Sequence, residues 1–572
     1  MEKYFKSVNC KNIKEIVYNS AKKYGEKTAF VIKQKNGKEV TYKNVSFKEF
    51  LNDINAFGTQ LYKLGCKNKR IAIAGRNRYE WVVTHLANLT GGIVSIPLDK
   101  ELQIDEFESC LERSKAEVLV FDEKYTEMIE EINKRGKTHV KEYICMTEQE
   151  GYKNFWKLKE EGAKLVEQGE KEYINAEIDP YKMAILLFTS GTTSKSKAVM
   201  LSQNNIASNV YSMLLVEDIL STDRNLAFLP LHHIFGSTGL IVMIAAGVTT
   251  SFPDGLRYIA QNLKEYKITL FVGVPLLVEA IYRKIESEIE KQGKTKLINF
   301  AKGISNFLLK IHIDIRRKMF KSVLNALGGD LRFIISGGAP LDKNVAKGFN
   351  EIGVQVVQGY GLTETAPVIS AENFKNIRFG SVGHIMENVQ AEIVNKDEEG
   401  IGELRVKGPN VMLGYYENEE ATNNVIKDGW FYTGDLGYFD KDNYLFLTGR
   451  QKDMIVLKNG KKVFPEEIET LINRIDLVKE CMVYGMPEEE SKNDIKLSVK
   501  VVYDKEIAKE KYPDKTIDEL KNIIWEKIKE INRTFPRYKY VKNIIITDEE
   551  LIKTTTKKIK RHEEMKKIIS QK

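Results

Sequence analysis

The sequence predicts an α/β protein: a large N-terminal domain of parallel and mixed sheets covered by helices, then a small C-terminal α/β domain. Three observations predict it. The chain has 572 residues, more than one hydrophobic core ordinarily organises. Its first half alternates strand-like and helix-like segments, the pattern of parallel sheets with helices on their faces. After Gly449-Arg450 the pattern starts afresh. The domains are therefore expected at 1–450 and 451–572.

The elements follow in order. Ser46-Phe47-Lys48-Glu49 reads as a capping box, in which serine and glutamate satisfy free helix amides reciprocally. Phe50, Leu51, Ile54, Phe57, Leu61 and Leu64 keep helical spacing, and Gly65 suits the stop. Arg70 to Ala74 reads as a short buried strand. From Ile285 to Leu327 the pattern is helical, with Ile304, Leu308, Ile311 and Ile315 on one face and Lys310, Arg316, Arg317, Lys318 and Lys321 nearby. This is either an ordinary amphipathic helix on the protein's own core or an interfacial helix that meets anionic membrane. Between Tyr438 and Leu447 two strand-like runs flank Asp440-Lys441-Asp442-Asn443, a hairpin turn. In the remainder, Pro465 with Glu466 and Glu467 opens a helix, Ile495 to Val502 alternates as a strand, and Thr516 with Glu519 caps another helix. No internal repeat is found.

Composition narrows the function. The chain is 42% hydrophobic and 29% charged, as soluble globular proteins are. Its net charge of +8 arises from 88 basic and 80 acidic residues, an excess too small to argue for nucleic acid. Cys10, Cys66, Cys110, Cys145 and Cys481 are odd in number and widely spaced, which speaks against a disulfide framework or a zinc site and for a reducing compartment. Met1 to Gly25 is charged and lacks a signal-peptide core. The longest apolar run, Thr238 to Val248, is far shorter than a membrane span. A cytoplasmic protein is expected.

Six segments carry chemistry. First, the strand-like Ile185-Leu186-Leu187-Phe188 runs into Thr189-Ser190-Gly191-Thr192-Thr193-Ser194-Lys195-Ser196-Lys197. Hydroxyls and exposed amides can wrap phosphate oxygens, and a lysine supplies charge. The loop is no Walker motif, which requires Gly-Lys-Ser/Thr; taken alone it is as readily a solvated turn. Second, Ser336-Gly337-Gly338-Ala339-Pro340-Leu341 follows an apolar strand, and its glycines allow a ligand to approach the backbone. Third, in Gln358-Gly359-Tyr360-Gly361-Leu362-Thr363-Glu364-Thr365 an aromatic ring suits a base. The hydroxyl and carboxylate beyond it suit phosphate and magnesium, a hard cation. Fourth and fifth are Gly434-Asp435, whose carboxylate can accept from two ribose hydroxyls, and Gly449-Arg450. Each is weak alone, since acids and arginines usually sit at the surface. Sixth is Lys553-Thr554-Thr555-Thr556-Lys557-Lys558, either a solvated charge run or a lysine inserted into a site elsewhere. His232 and His233 stand among apolar residues, where a core histidine is the commoner occupant. Neither a Ser-His-Asp arrangement nor a metal cluster of His, Cys or Asp is read.

In this order and spacing the segments resemble the acyl-adenylate-forming (AMP-binding) superfamily, which holds acyl-CoA synthetases, firefly luciferase and peptide-synthetase adenylation domains. The resemblance runs from residue 12 to residue 565. Within that superfamily the chain looks most like bacterial long-chain fatty acid–CoA ligases, through Ser251-Phe252-Pro253-Asp254-Gly255-Leu256, the helical insertion after Val274-Pro275, and the Thr-Thr-Thr-Lys-Lys ending. The resemblance implies an enzyme that converts a fatty acid and ATP to acyl-AMP and diphosphate, then acyl-AMP and CoA to acyl-CoA and AMP, with Mg²⁺. It implies that Thr189, Ser190, Gly191, Thr192, Thr193 and Lys197 form a mobile phosphate loop, and that His233 gates the site beside the acyl carboxylate. Gly338 and Ala339 would line the adenine and acyl pocket. Tyr360, between Gly359 and Gly361, would pack on adenine, Thr363 would hold the α-phosphate and Glu364 the magnesium. Asp435 and Arg450 would hold the ribose, Lys452 would be the hinge of a mobile small domain, and Lys558 would be the lysine of the adenylation step.

The sequence departs from the family pattern at Ser194, Ser196, Ala198 and Lys557, where glycine, proline, glycine and glycine are usual; these positions bear on loop flexibility and rate. Two other functions are compatible with the motifs: loading of an acyl carrier protein, and a catalytically weak acyl- or nucleotide-binding regulator.

Overall fold

Ser46 starts its helix through two reciprocal bonds. Its Oγ accepts from Glu49 N at 3.1 Å, and its own N–H donates to Glu49 Oε2 at 2.7 Å. The helix Phe47–Lys63 then buries Phe50, Ile54, Phe57 and Leu61, and Gly65 follows it at φ 74. The computed structural model describes residues 7–37, 39–189, 196–457, 460–488, 491–554 and 559–570.

Two large sheets organise the first part of the chain. In one, Arg70–Ala74, Val94–Leu98, Val118–Phe121 and Met183–Thr189 run parallel, with Val94–Leu98 beside Met183–Thr189. Met183–Thr189 turns back antiparallel into Lys197–Ser202, and Gly414–Tyr415 closes that edge. In the other, Arg224–Leu226, Leu270–Gly273, Phe333–Gly337 and Gln355–Gly361 are parallel neighbours. Both sheets are packed by helices over buried aliphatic and aromatic clusters. The parallel strands read as nearly continuous apolar runs because both of their faces are covered.

By packing, the described chain falls into two units: one of 7–189, 196–391 and 406–431, and a smaller one of 392–405 and 432–570. The expected boundary after Arg450 is a change of sequence pattern; the packed units already divide at Tyr432. The reason is the hairpin of Trp430–Phe439 and Leu445–Arg450, which belongs to the same small sheet as Gly402–Lys407. Its turn is the expected one: Asp440 Oδ1 accepts from Asp442 N and Tyr444 N at 2.9 Å each, and Asn443 takes φ 62. Beyond it lie the helix Pro465–Ile472, a sheet of Val478–Glu488, Ser491–Tyr503 and Asn543–Thr547, and the helix Ile517–Asn532, capped by Thr516 and Glu519 as its sequence requires.

The Ile285 to Leu327 region corrects one expectation. Its helices are Pro275–Lys291, Thr295–Lys310, Arg316–Met319 and Lys321–Ala326. The chain leaves the helix after Lys310, with His312 at φ 62, and Asp314 Oδ1 accepts from Arg316 N at 3.1 Å. That local side-chain bond offers the backbone an alternative to continuing the helix. Ile311 and Ile315 therefore do not extend the face of Ile304; Leu297, Phe300 and Phe307 share it instead. Among the described residues no helix is long and apolar enough to cross a membrane. All five cysteines are buried and free.

Candidate active site

In the larger unit the candidate residues gather at the carboxyl ends of parallel strands, where open α/β sheets bind ligands. Thr189 ends Met183–Thr189, Gly338 and Ala339 follow Phe333–Gly337, and Thr363 and Glu364 follow Gln355–Gly361. Gly337 lies beside Gly359 across the ladder. A Cβ on Gly337 would stand 2.9 Å from the Phe235 ring, and one on Gly361 would stand 1.9 Å from Pro367 O. These two glycines are thus required by close approach. Gly338 and Ala339 are exposed, while Gly359, Tyr360, Gly361, Thr363 and Glu364 are half-buried.

Lys197 opens the return strand of the hairpin, and its carbonyl accepts from Thr189 Oγ1 at 3.3 Å. Its ammonium lies 4.6 Å from the centre of the Tyr415 ring. The Tyr415 hydroxyl donates to Glu364 Oε1 at 2.9 Å. One aromatic side chain therefore joins the lysine of the first motif to the carboxylate of the third. Glu364 keeps an oxygen-only donor set on a half-buried residue, which fits Mg²⁺ held by one protein carboxylate together with substrate phosphates. Ser190, Gly191, Thr192 and Thr193, with Ser194, lie outside the described residues. The hairpin re-enters at Ser196, whose carbonyl accepts from Arg113 Nη2 at 2.7 Å and whose hydroxyl accepts from Arg113 Nη1 at 3.2 Å.

His233 is the residue before the helix Ile234–Ala246, at the end of a loop that follows the strand Arg224–Leu226. Asn77 clamps that loop: its amide donates to Ala227 O at 2.8 Å and Leu229 O at 2.7 Å, and its Oδ1 accepts from Leu231 N at 3.1 Å. Asn77 follows a strand of the other sheet, so one side chain ties the carboxyl ends of both sheets together. His232, 4% exposed, lies with Nε2 3.2 Å from Asp99 Oδ1 and its ring 4.4 Å from that of His233. Asp99, His232 and His233 bring one ligand atom each within 4.8 Å of one another. The sequence shows no cluster of His, Cys or Asp at metal-ligand spacing; this grouping arises from the fold. Asp99 is 133 residues from His232, and only the sheet order brings them together.

Behind this edge, Glu372 accepts from Gln358 N at 3.0 Å and Arg378 N at 3.1 Å. Burial pushes its carboxyl up to about 8 against the pull of those amides. Burial also holds Glu217 well above the usual carboxylate range, and the charges of Glu372 and Asp218 add to the rise.

In the smaller unit Asp435 and Arg450 are cross-strand partners, and Arg450 Nε donates to Asp435 Oδ1 at 2.8 Å. Thr433 Oγ1 accepts from Asp435 N at 3.1 Å and donates to Leu404 O at 2.7 Å, fixing the strand beneath the carboxylate. Lys452 is exposed in the turn that follows. Lys558 and its neighbour Lys557 lie outside the described residues. Of the described residues nearest to them, Lys553 pairs with Ile559, and Lys553 Nζ is 2.9 Å from Glu480 and 3.0 Å from Glu550. Arg561 then forms two bonds to Glu469, at 2.8 and 2.6 Å. Burial alone would lower its pKa, but Glu469 and Glu466 outweigh burial and raise it.

A family model described as "AMP-binding enzyme" matches residues 17–416. The chain belongs to this family of AMP-binding enzymes. A second model, the AMP-binding enzyme C-terminal domain, matches residues 452–570. Among curated relatives, this AMP-binding enzyme is similar to a long-chain-fatty-acid–CoA ligase of Mycobacterium bovis, 29% identical over 459 residues, covering 77% of this chain and 75% of the relative. It is also similar to a chloroplastic long-chain-fatty-acid–[acyl-carrier-protein] ligase of Arabidopsis thaliana, 26% identical over 605 residues, covering 92% and 80%. Among solved structures, the O-succinylbenzoate coenzyme A synthetase of Bacillus subtilis in complex with AMP shares the fold, with TM-score 0.71, 23% identity and coverage of 96% and 97%.

Asn77, Asp99, Arg113 and Tyr415 were not singled out from the sequence. None stands in a recognisable motif; each becomes notable only through a partner more than 50 residues away.

Proposed function

We propose that the enzyme joins a medium- to long-chain fatty acid to coenzyme A by way of an acyl-adenylate. The carboxylate oxygen attacks the α-phosphorus of ATP and the bond to the β-phosphate oxygen breaks, giving acyl-AMP and diphosphate. The CoA thiol then attacks the acyl carbonyl, loses its proton, and AMP leaves. The observation that carries the reading is the convergence of Lys197, Tyr415 and Glu364 at the carboxyl edge of the sheets. It brings a cation and a carboxylate together at the strand ends, a pairing that supports the handling of phosphate with a hard cation.

The residue roles follow the chemistry. Thr189 to Thr193 and Lys197 wrap the phosphates, and Lys197 neutralises developing charge, as does Lys558. Glu364 holds Mg²⁺, which when bound supplies charge neutralisation on the phosphates. Thr363 holds the α-phosphate. Tyr360 packs on adenine, with Gly338, Ala339, Gly359 and Gly361 leaving room for it. Asp435 accepts from the ribose hydroxyls, and Arg450, which already bonds Asp435, orients it. His233 stands beside the acyl carboxylate. The 1–450 part binds ATP and acid and the 451–572 part carries the adenylation lysine, with Lys452 as the hinge that lets one site run two reactions in turn.

Long chains are favoured because each buried methylene contributes about 0.8 kcal/mol. The apolar helix Ile234–Ala246 directly follows His233, and a Cβ on Gly338 would stand 3.9 Å from Val274, so apolar residues flank both positions. The similarity to a carrier-protein ligase supports a second acceptor, acyl carrier protein. A panel of acids from acetate to oleate tests both points. Diphosphate release and thioester formation are measured with CoA and with carrier protein as acceptors. Specificity rising with chain length and CoA as acceptor is expected. Preference for acetate or an aryl acid would overturn the substrate class, and turnover with carrier protein alone would overturn the acceptor.

A further inference from the structure

The helix Thr295–Lys310 shows apolar side chains on both of its sides. Its inner side is seated: Ile298 and Ala301 pack on the core of the larger unit, Ser305 is fully buried, Asn306 Nδ2 donates to Glu351 Oε1 at 3.2 Å, and Lys302 lies 3.5 Å from Glu351. Its outer side carries Leu297, Phe300, Ile304 and Phe307, spaced so that they share one face. They are 63%, 68%, 40% and 65% exposed. Ile311 and Ile313, just beyond the helix, are also exposed. Burying this face is not needed to hold the helix in place.

The charge around that face is one-sided. From Lys291 to Ile313 the sequence holds five lysines and no acidic residue. Between Lys291 and Lys321 lie nine of the chain's 88 basic residues and one of its 80 acids, so the rest of the chain holds 79 of each. That segment therefore carries a net charge of +8, nine basic residues against one acid. The one acid, Asp314, is matched by Arg316 at 2.7 Å. Lys296 and Lys310, both exposed, stand one residue before Leu297 and three after Phe307, on the same side of the helix. A row of two aromatic and two aliphatic side chains edged by lysines matches the boundary between anionic headgroups and acyl chains.

We propose that Thr295–Lys310 is a membrane-docking helix whose outer face enters the surface of an anionic lipid bilayer, with Phe300 and Phe307 as anchors and Lys296 and Lys310 at the headgroups. The proposal does not depend on the acid that the enzyme activates.

The test uses the full-length protein and vesicle flotation. One set of vesicles contains equal parts phosphatidylglycerol and phosphatidylcholine, and the other phosphatidylcholine alone. Binding to the anionic set, weakened by salt, is expected. Phe300→Ser combined with Phe307→Ser, and separately Lys296→Glu combined with Lys310→Glu, should each reduce that binding by about tenfold or more. Both variants should keep the wild-type thermal midpoint, because the altered side chains face away from the core. No flotation of the wild-type protein would overturn the proposal, as would equal flotation of wild type and both variants. A dimer that the phenylalanine variant dissociates, without vesicle binding, would assign the face to a second copy of the chain and overturn the proposal equally.

Discussion

The Tyr415 hydroxyl donates to Glu364 Oε1 at 2.9 Å while the same ring carries the Lys197 ammonium 4.6 Å from its centre. A hydrogen bond to a charged group contributes about 1.5–3 kcal/mol. Tyr415→Phe keeps the ring beneath Lys197 and removes the bond that aims the carboxylate. Its expected effect is a fall of about tenfold or more in fatty-acid-dependent diphosphate release, with a raised Mg²⁺ requirement. An unchanged Mg²⁺ dependence would show that Glu364 needs no positioning by Tyr415.

Arg113 holds the point where the chain enters the strand Lys197–Ser202, through the carbonyl and hydroxyl of Ser196. The serine here replaces the proline usual in the family, so a side-chain anchor stands in for a stiff ring. Arg113→Ala should slow the diphosphate-releasing step by about tenfold, for the loss of a charge-assisted bond. Conversion of supplied acyl-AMP and CoA should change little. Pairing it with Ser196→Pro should restore part of the rate, and the measurement is the two half-reactions assayed apart.

Lys558→Ala should lose adenylation by roughly 10²–10³, the typical cost of removing a donor aimed at developing charge. It should still make acyl-CoA from acyl-AMP and CoA. Equal losses in both half-reactions would mean that the lysine serves the fold or both steps alike.

Glu217 and Glu372 set a pH dependence. Both carboxyls are raised in the folded protein, Glu372 to about 8. In the unfolded chain they lose their protons near the ordinary glutamate value of about 4.3. The folded state therefore binds more protons between these limits, and its stability falls as pH rises from about 4.3 to about 8. Denaturant midpoints measured across that window should fall, and Glu217→Gln should flatten the slope by up to about 1.4 kcal/mol per pH unit. A slope unchanged in the variant would show that Glu217 is ionised in the folded state across the window.

Local chemistry was legible without a structure. The capping boxes at Ser46 and Thr516, the turn at Asp440 to Asn443, the strand Arg70–Ala74 and the helix opened by Pro465 each depend on residues within a few positions of one another. The Thr189–Lys197 register and the Asp435–Arg450 pairing came from the structure, though between strands that are consecutive in the chain. Local propensity and capping are properties of the amino-acid string, and the sequence by itself determined them. Three further things were decided only by the tertiary structure. Sheet order sets Asp99 beside His232 and lets Asn77 hold the histidine loop. The closing edge strand brings Tyr415 between Lys197 and Glu364. The helix Thr295–Lys310 has apolar residues on both sides, so periodicity shows its spacing but not which side the core covers. The physical reason is common to all three: which surfaces meet depends on how the sheets and helices pack over long separations, and apolar spacing along one segment carries no record of its distant neighbours.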